Sequence, residues 1–168
     1  MRKFYPLAVL LCVFLLAGCG FHPIYGSHGA ASGSPVAMDL NNVAIDNIPD
    51  HNGQMLRNDL IDRMYGKNRP EKPLYTLKVK IHSDEEDLGI LANATATREL
   101  MNMYGDYSLV DAKGDVLISG TAHSVASFDK LDEMYGTVAV RQDAYERTLH
   151  EVGEQIVNRI SLYFSERK

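Results

Sequence analysis

Between residues 75 and 82 apolar and polar side chains alternate without a break, and that alternation limits most of what the chain can become. Tyr75, Leu77, Val79 and Ile81 share one face of a strand; Thr76, Lys78, Lys80 and His82 share the other. A strand of this kind buries one face and leaves the other in water, as in an antiparallel sheet covered on one side. Two helical stripes can supply the cover. Leu56, Leu60, Ile61 and Met64 recur at helical spacing after Asn52, which is placed to cap a helix running to Met64. Gly66 is suited to end it, and Pro70 and Pro73 keep the next segment out of the helical region. A second, longer stripe of Tyr145, Leu149, Val152, Ile156, Ile160 and Tyr163 predicts a helix over Thr137 to Ser165.

The remaining elements complete the order. Val43 and Ile45, followed by Ile48, suggest a short strand ended by Pro49. Ser83 to Gly89 (SDEEDLG) reads as an acidic loop. Asn93 to Tyr107 is ambiguous, because Thr95-Ala96-Thr97 favours a strand while Arg98-Glu99-Leu100-Met101 would suit a helix. Asp111 to Gly114 is a tight-turn sequence, and Val116 to Phe128 reads as the returning strand. Its Gly120, Ala122, Ser124 and Ala126 share one face, where small side chains would admit a helix or a partner. The order is β-α-β-β-β-α. It predicts an α+β, two-layer sandwich in which a four-stranded, mostly antiparallel sheet carries both helices on one face. The face bearing Lys78 and Lys80 then stays uncovered.

The first nineteen residues belong to a different problem. Arg2 and Lys3 precede the apolar run Leu7 to Ala17, whose helical rise of about 16 Å falls short of a bilayer core of roughly 30 Å. This is a signal-peptide pattern rather than a spanning helix. The tetrad Leu16-Ala17-Gly18-Cys19 resembles a bacterial lipobox, with the Cys19 thiol taking the lipid; an ordinary secretory signal with a chance cysteine is the alternative. On the lipobox reading, residues 1–18 are a signal peptide, 19–37 a lipidated tether and 38–168 the folded domain. Diacylglycerol plus an N-linked acyl chain such as palmitate is enough for stable anchoring. Gly20, where an Asp would favour inner-membrane retention, points to the outer membrane of a Gram-negative cell. Gly20 to Tyr25 is aromatic for a linker, and either lies near headgroups or docks on a partner.

Composition narrows the function. A length of 168 residues fits one domain, and a net charge of -5, from 17 basic against 22 acidic residues, argues against nucleic acid as the ligand. The two cysteines, Cys12 and Cys19, cannot build a disulfide framework or a zinc site. No nucleophile elbow, metalloprotease pair or phosphate loop is present, and the six histidines stand apart. Asp84 to Gly89 has the glycine of a calcium loop, but Glu86, Leu88 and Thr95 occupy positions where ligands should be. No catalytic residue, metal or cofactor is therefore expected. Lys78 and Lys80, with Arg98 on the following segment, are either ordinary solubilising charges or a patch for the phosphates of an anionic glycolipid.

Several stretches together resemble a known family. Cys19 to Gly26 (CGFHPIYG), Gly53 to Leu60 (GQMLRNDL), Leu74 to Val79 (LYTLKV), Ala94 to Arg98 (ATATR), Tyr107 to Asp111 (YSLVD) and the terminal helix are similar, in order and spacing, to the alphaproteobacterial form of the LptE family of lipopolysaccharide-assembly lipoproteins. The resemblance implies a strand over Asn93 to Tyr107. It also implies a non-enzymatic protein that plugs the lumen of the large outer-membrane β-barrel LptD, helps it assemble, and takes part in moving lipopolysaccharide to the outer leaflet. Basic residues near loop tips are implied to meet lipopolysaccharide. In this chain the candidates are Lys78, Lys80, Arg98 and Lys130, since Ser83 to Asn93 holds no Lys or Arg. The rival expectation is an independent outer-membrane lipoprotein that binds another envelope component without a barrel.

Overall fold

The computed structural model describes residues 35–65, 69–90, 96–130 and 134–167. The segment read as a signal peptide, Cys19, the expected tether up to residue 34 and Gly66 lie outside the described residues. The order is α1 (Pro35–Leu40), β1 (Val43–Ile45), α2 (Asp50–Tyr65), β2 (Tyr75–Ile90), β3 (Ala96–Asp111), β4 (Val116–Asp129) and α3 (Met134–Glu166). The sheet runs β1-β2-β3-β4. β1 lies parallel to β2, with Val43 opposite Tyr75, and the two other pairings are antiparallel. After the short α1, this is the expected β-α-β-β-β-α sandwich.

A parallel pair needs a crossover, and α2 supplies it. The chain turns into α2 at Asp50, whose φ of 66° lies in the left-handed region that Asp tolerates better than most residues. The helix thus starts ahead of Asn52, which lies within its first turn and does not cap it. Its stripe of Leu56, Leu60, Ile61 and Met64 is buried as the spacing required, joined by Tyr65. The Tyr65 hydroxyl donates to the Val43 carbonyl at 2.5 Å, tying the helix end to β1, and burial raises the pKa of its phenol. Arg57 Nε donates to the Asp46 carbonyl at 3.2 Å just beyond that strand.

The acidic segment Ser83 to Gly89 is not a loop. β2 continues through it, with Ser83 opposite Met103 and Asp87 opposite Glu99 before a register shift between Asp87 and Gly89. The ladder's hydrogen bonds to β3 outweigh the weak strand preference of four carboxylates. Alternation persists there too. Ser83 and Glu85 turn toward the helices and meet the Tyr145 hydroxyl, each at 3.3 Å, while Asp84 and Glu86 face solvent. β3 takes the strand option throughout, and the helical alternative for Arg98 to Met101 is not realised.

α3 is 33 residues long, about 50 Å at about 1.5 Å each, which matches the 16-residue hairpin strands. It lies along β3 and β4 and packs on α2. Small residues permit this. Ala122, Ser124 and Ala126 on β4 are buried beneath it, and a Cβ at Gly105 of β3 would stand 2.6 Å from Val152 Cγ1. The main core gathers Val43, Leu56, Leu60, Leu77, Met103, Leu109, Leu149, Val152, Ile156 and Ile160 with their neighbours. A second, much smaller cluster holds Met101, Ala126, Phe128 and Ala144. Between the helices, Asp59 accepts from Arg63 Nε at 2.7 Å and pairs with His150 Nδ1 at 2.9 Å, and Gly153 leaves room for its carboxylate.

Two outcomes follow. Gly105→Ala forces the new methyl against Val152 and should cost about 1–3 kcal/mol in urea unfolding, without loss of strand content by circular dichroism. At the β3–β4 turn, backbone N–H groups of Asp115, Lys113 and Gly114 hold the Asp111 carboxyl below the usual 3.8. A carboxyl with a lowered folded pKa stabilises above the unfolded value, and that contribution fades as pH falls through the folded one. Asp111→Ala should therefore lower the thermal midpoint at neutral pH, with a deficit that shrinks on acidification below about 3.8.

Candidate functional site

Because both longer helices cover one face, the other face of the three long strands is open among the described residues. Lys78, Lys80 and His82 of β2 project there, beside Asn102, Tyr104, Asp106 and Ser108 of β3 and Ser119, Thr121 and His123 of β4. The uncovered face is thus the one expected. At its centre three rings stack across the three strands. His82 lies 4.8 Å from Tyr104, and Tyr104 lies 4.5 Å from His123, both pairs inclined by 12°. Asp106 accepts from Thr121 Oγ1 at 2.6 Å and lies 3.8 Å from His82 Nδ1. Lys78 and Lys80 are exposed, border a shallow depression with Asp106 and Ser108, and have no ion-pair partner among the described residues.

The four predicted cations do not meet. Lys80 stands opposite Asp106, and from there to Arg98 is eight residues of β3, about 27 Å at about 3.4 Å each. Lys78 and Lys80 belong to the open face near its middle, whereas Arg98 and Lys130 sit at the end where β2 and β3 are joined and β4 leads into α3. Each of the latter two is already neutralised. Arg98 Nε donates to Asp129 at 2.9 Å, and that bond raises the pKa of its guanidinium. Lys130 Nζ holds Glu99 and, at 3.0 Å, Asp87; those two carboxylates raise the pKa of the ammonium, Glu99 foremost.

Glu99 was not legible as a functional or structural centre. It is 5% exposed on the helix-facing side of β3, and Arg141 of α3 meets it at 3.3 Å while reaching Glu85 at 3.2 Å. Period two would have turned Glu99 inward once β3 was recognised as a strand, but its partners come from β4 and α3, far away in sequence. The stack of His82, Tyr104 and His123 was equally hidden, since only the strand register brings these rings together.

Among the described residues no group of three or more His, Cys, Asp or Glu is arranged to hold a metal, and no helix is long and apolar enough to cross a membrane. An open, polar sheet face backed by a helical layer defines a two-layer α+β sandwich. The LptE, lipopolysaccharide-assembly, family model matches residues 40–160. The chain belongs to the LptE family, a family of non-enzymatic lipoproteins associated with the outer membrane, and its role lies in lipopolysaccharide assembly.

Solved structures share the fold. A Caulobacter crescentus CB15 protein described as a lipoprotein aligns with TM-score 0.63 at 21% identity, covering 77% of this chain and 96% of its own. A minor lipoprotein from Acinetobacter baumannii aligns with TM-score 0.57 at 16% identity, over 71% and 90% of the two chains. The rare lipoprotein B of Shewanella oneidensis aligns with TM-score 0.53 at 6% identity, over 74% and 92%. At these identities the likeness is one of fold. No curated protein sequence matches the chain.

The two terminal cations should behave differently when removed. Arg98→Ala breaks an exposed pair and should leave the urea midpoint almost unchanged. Lys130→Ala leaves the buried Glu99 with Arg141 as its remaining cation and should lower the urea midpoint clearly more than Arg98→Ala does.

Proposed function

We propose that the chain is anchored through acylated Cys19, that its folded domain fills the lumen of an LptD-type β-barrel, and that it helps pass lipopolysaccharide to the outer leaflet. Family membership supports the barrel partner and the cargo. The observation that carries the geometry is the helix-free sheet face, polar throughout its centre. Barrel interiors are polar and wet, so a face of hydroxyls, amides, imidazoles and lysines can lie against such a wall without burying unpaired apolar surface.

On this reading the phosphates of lipopolysaccharide meet Lys78 and Lys80 rather than Arg98 and Lys130. A lysine without an ion-pair partner, even with Asp106 nearby, is more available to an incoming phosphate than one already held by carboxylates. Arg98 and Lys130 contribute only by exchanging Asp129, Asp87 or Glu99 for a phosphate oxygen, which returns little net energy. No residue supplies chemistry; the protein works by occupying space and presenting charge.

The test is charge reversal on the open face. In the full-length chain, Lys78→Glu with Lys80→Glu should weaken binding of labelled lipopolysaccharide roughly tenfold at about 0.05 M salt, and the difference should narrow at about 1 M. Circular dichroism should be unchanged, since both side chains point to solvent. Unaltered affinity in the double variant would contradict the assignment of these lysines.

A further inference from the structure

We propose that the end of the sandwich remote from β1, comprising residues 83–90, 96–102, 123–129 and 134–147, opens as a unit of its own. An ionic latch centred on Glu99 holds it shut while the main core stays folded. Three observations carry this. The first is the division of the core. The main cluster runs from Val43 through Leu77 and Leu109 to Ile160, and along the hairpins it reaches Met103 and Ala122. Beyond that line, among the described residues, the buried apolar side chains are Met101, Ala126, Phe128 and Ala144, with Val140 and Tyr145 partly buried against them, little apolar surface to secure three strand ends and about four helical turns.

The second observation is the seam between the clusters, where the hydroxyls of Ser124 and Thr148 are buried among the apolar contacts and polar side chains close the rim. Ser124 of β4 donates to Glu151 of α3. Thr148, 1% exposed, spends its hydroxyl on its own helix, at 2.9 Å from the Ala144 carbonyl. Gln155 reaches the rim of β4 one residue before Ser124, accepting from the His123 N–H at 3.2 Å and donating to its carbonyl at 2.8 Å. On the main-core side, by contrast, Val152, Ile156 and Ile160 are fully buried.

The third is the latch. Glu85 and Asp87 from β2 and Glu99 from β3 converge on Lys130 after β4 and Arg141 of α3, so the five charges join all four elements of the distal end. Arg141 also lies 5.9 Å above the Phe128 ring, and its buried Nε has no hydrogen-bond partner among the described residues. An unpartnered buried donor disfavours the closed state, so closure depends on the other charge contacts. Of the five, only Glu99 is deeply buried; Asp87 and Arg141 are largely open to solvent and subject to screening by salt. Opening would bare Lys130 and Arg141 beside Met101 and Phe128. The inference does not depend on the proposed lipopolysaccharide contacts of the open face.

Hydrogen exchange by mass spectrometry on the full-length chain in detergent tests it. In Glu99→Gln, amides of residues 98–102, 124–129 and 140–147 should exchange roughly tenfold faster or more, while those of 56–64 and 152–160 keep their rates. Asp143→Asn breaks an exposed pair with Arg147 on the same helix and should leave both groups unchanged. In the unsubstituted chain, raising salt from about 0.05 M to about 1 M should speed exchange in the distal segments alone. The idea is overturned if exchange rises equally in both groups, if neither the substitution nor salt has an effect, or if Asp143→Asn acts as Glu99→Gln does.

Discussion

The architecture depends on how closely α3 approaches the sheet. A helix laid along strands at this distance needs missing side chains beneath it, and the chain provides them at Gly105, Ala122, Ser124 and Ala126, with Gly153 serving the same purpose against α2. Val152 then sits directly over the glycine of β3, and Ile156 follows it into the main core. One long helix satisfies the covered face over nearly the full length of the hairpins, and α2 covers the rest, so among the described residues no element covers the other side.

That one-sidedness gives the domain its usable surface. The open face carries lysines without carboxylate partners, a stack of two imidazoles around a phenol, and a row of hydroxyls. The far end holds its cations in a closed account with Glu85, Asp87, Glu99 and Asp129. Net negative charge in the whole chain is therefore compatible with a locally cationic face, because acids gather at one end of β2 while Lys78 and Lys80 stand well down the same strand.

Much of the fold was legible in the sequence, for identifiable reasons. Tyr75 to His82 alternates cleanly, and the stripes of Leu56 to Met64 and Leu149 to Ile160 have helical spacing; these are local patterns, and each is found as read. Ser83 to Gly89 was misread because its acids are poor strand formers in isolation. What makes them a strand is pairing with Glu99 to Met103 and the ions of Lys130 and Arg141, none of which is local. Asn52 looked like a cap because the stripe begins after it, but the backbone turns at Asp50. The site was less legible for the same reason. Lys78, Lys80 and Arg98 share a sheet face, yet only the register shows that the pair and Arg98 lie far apart.

The central claim, a domain that works inside a barrel, is tested most directly by purification. A C-terminally tagged full-length chain would be extracted from membranes in mild detergent, washed at high salt, and its stoichiometric partners identified. The account predicts one large β-barrel protein retained through the wash, with lipopolysaccharide in the same fraction. Recovery of the lipoprotein alone from outer membranes, with no barrel at stoichiometric level, would contradict it.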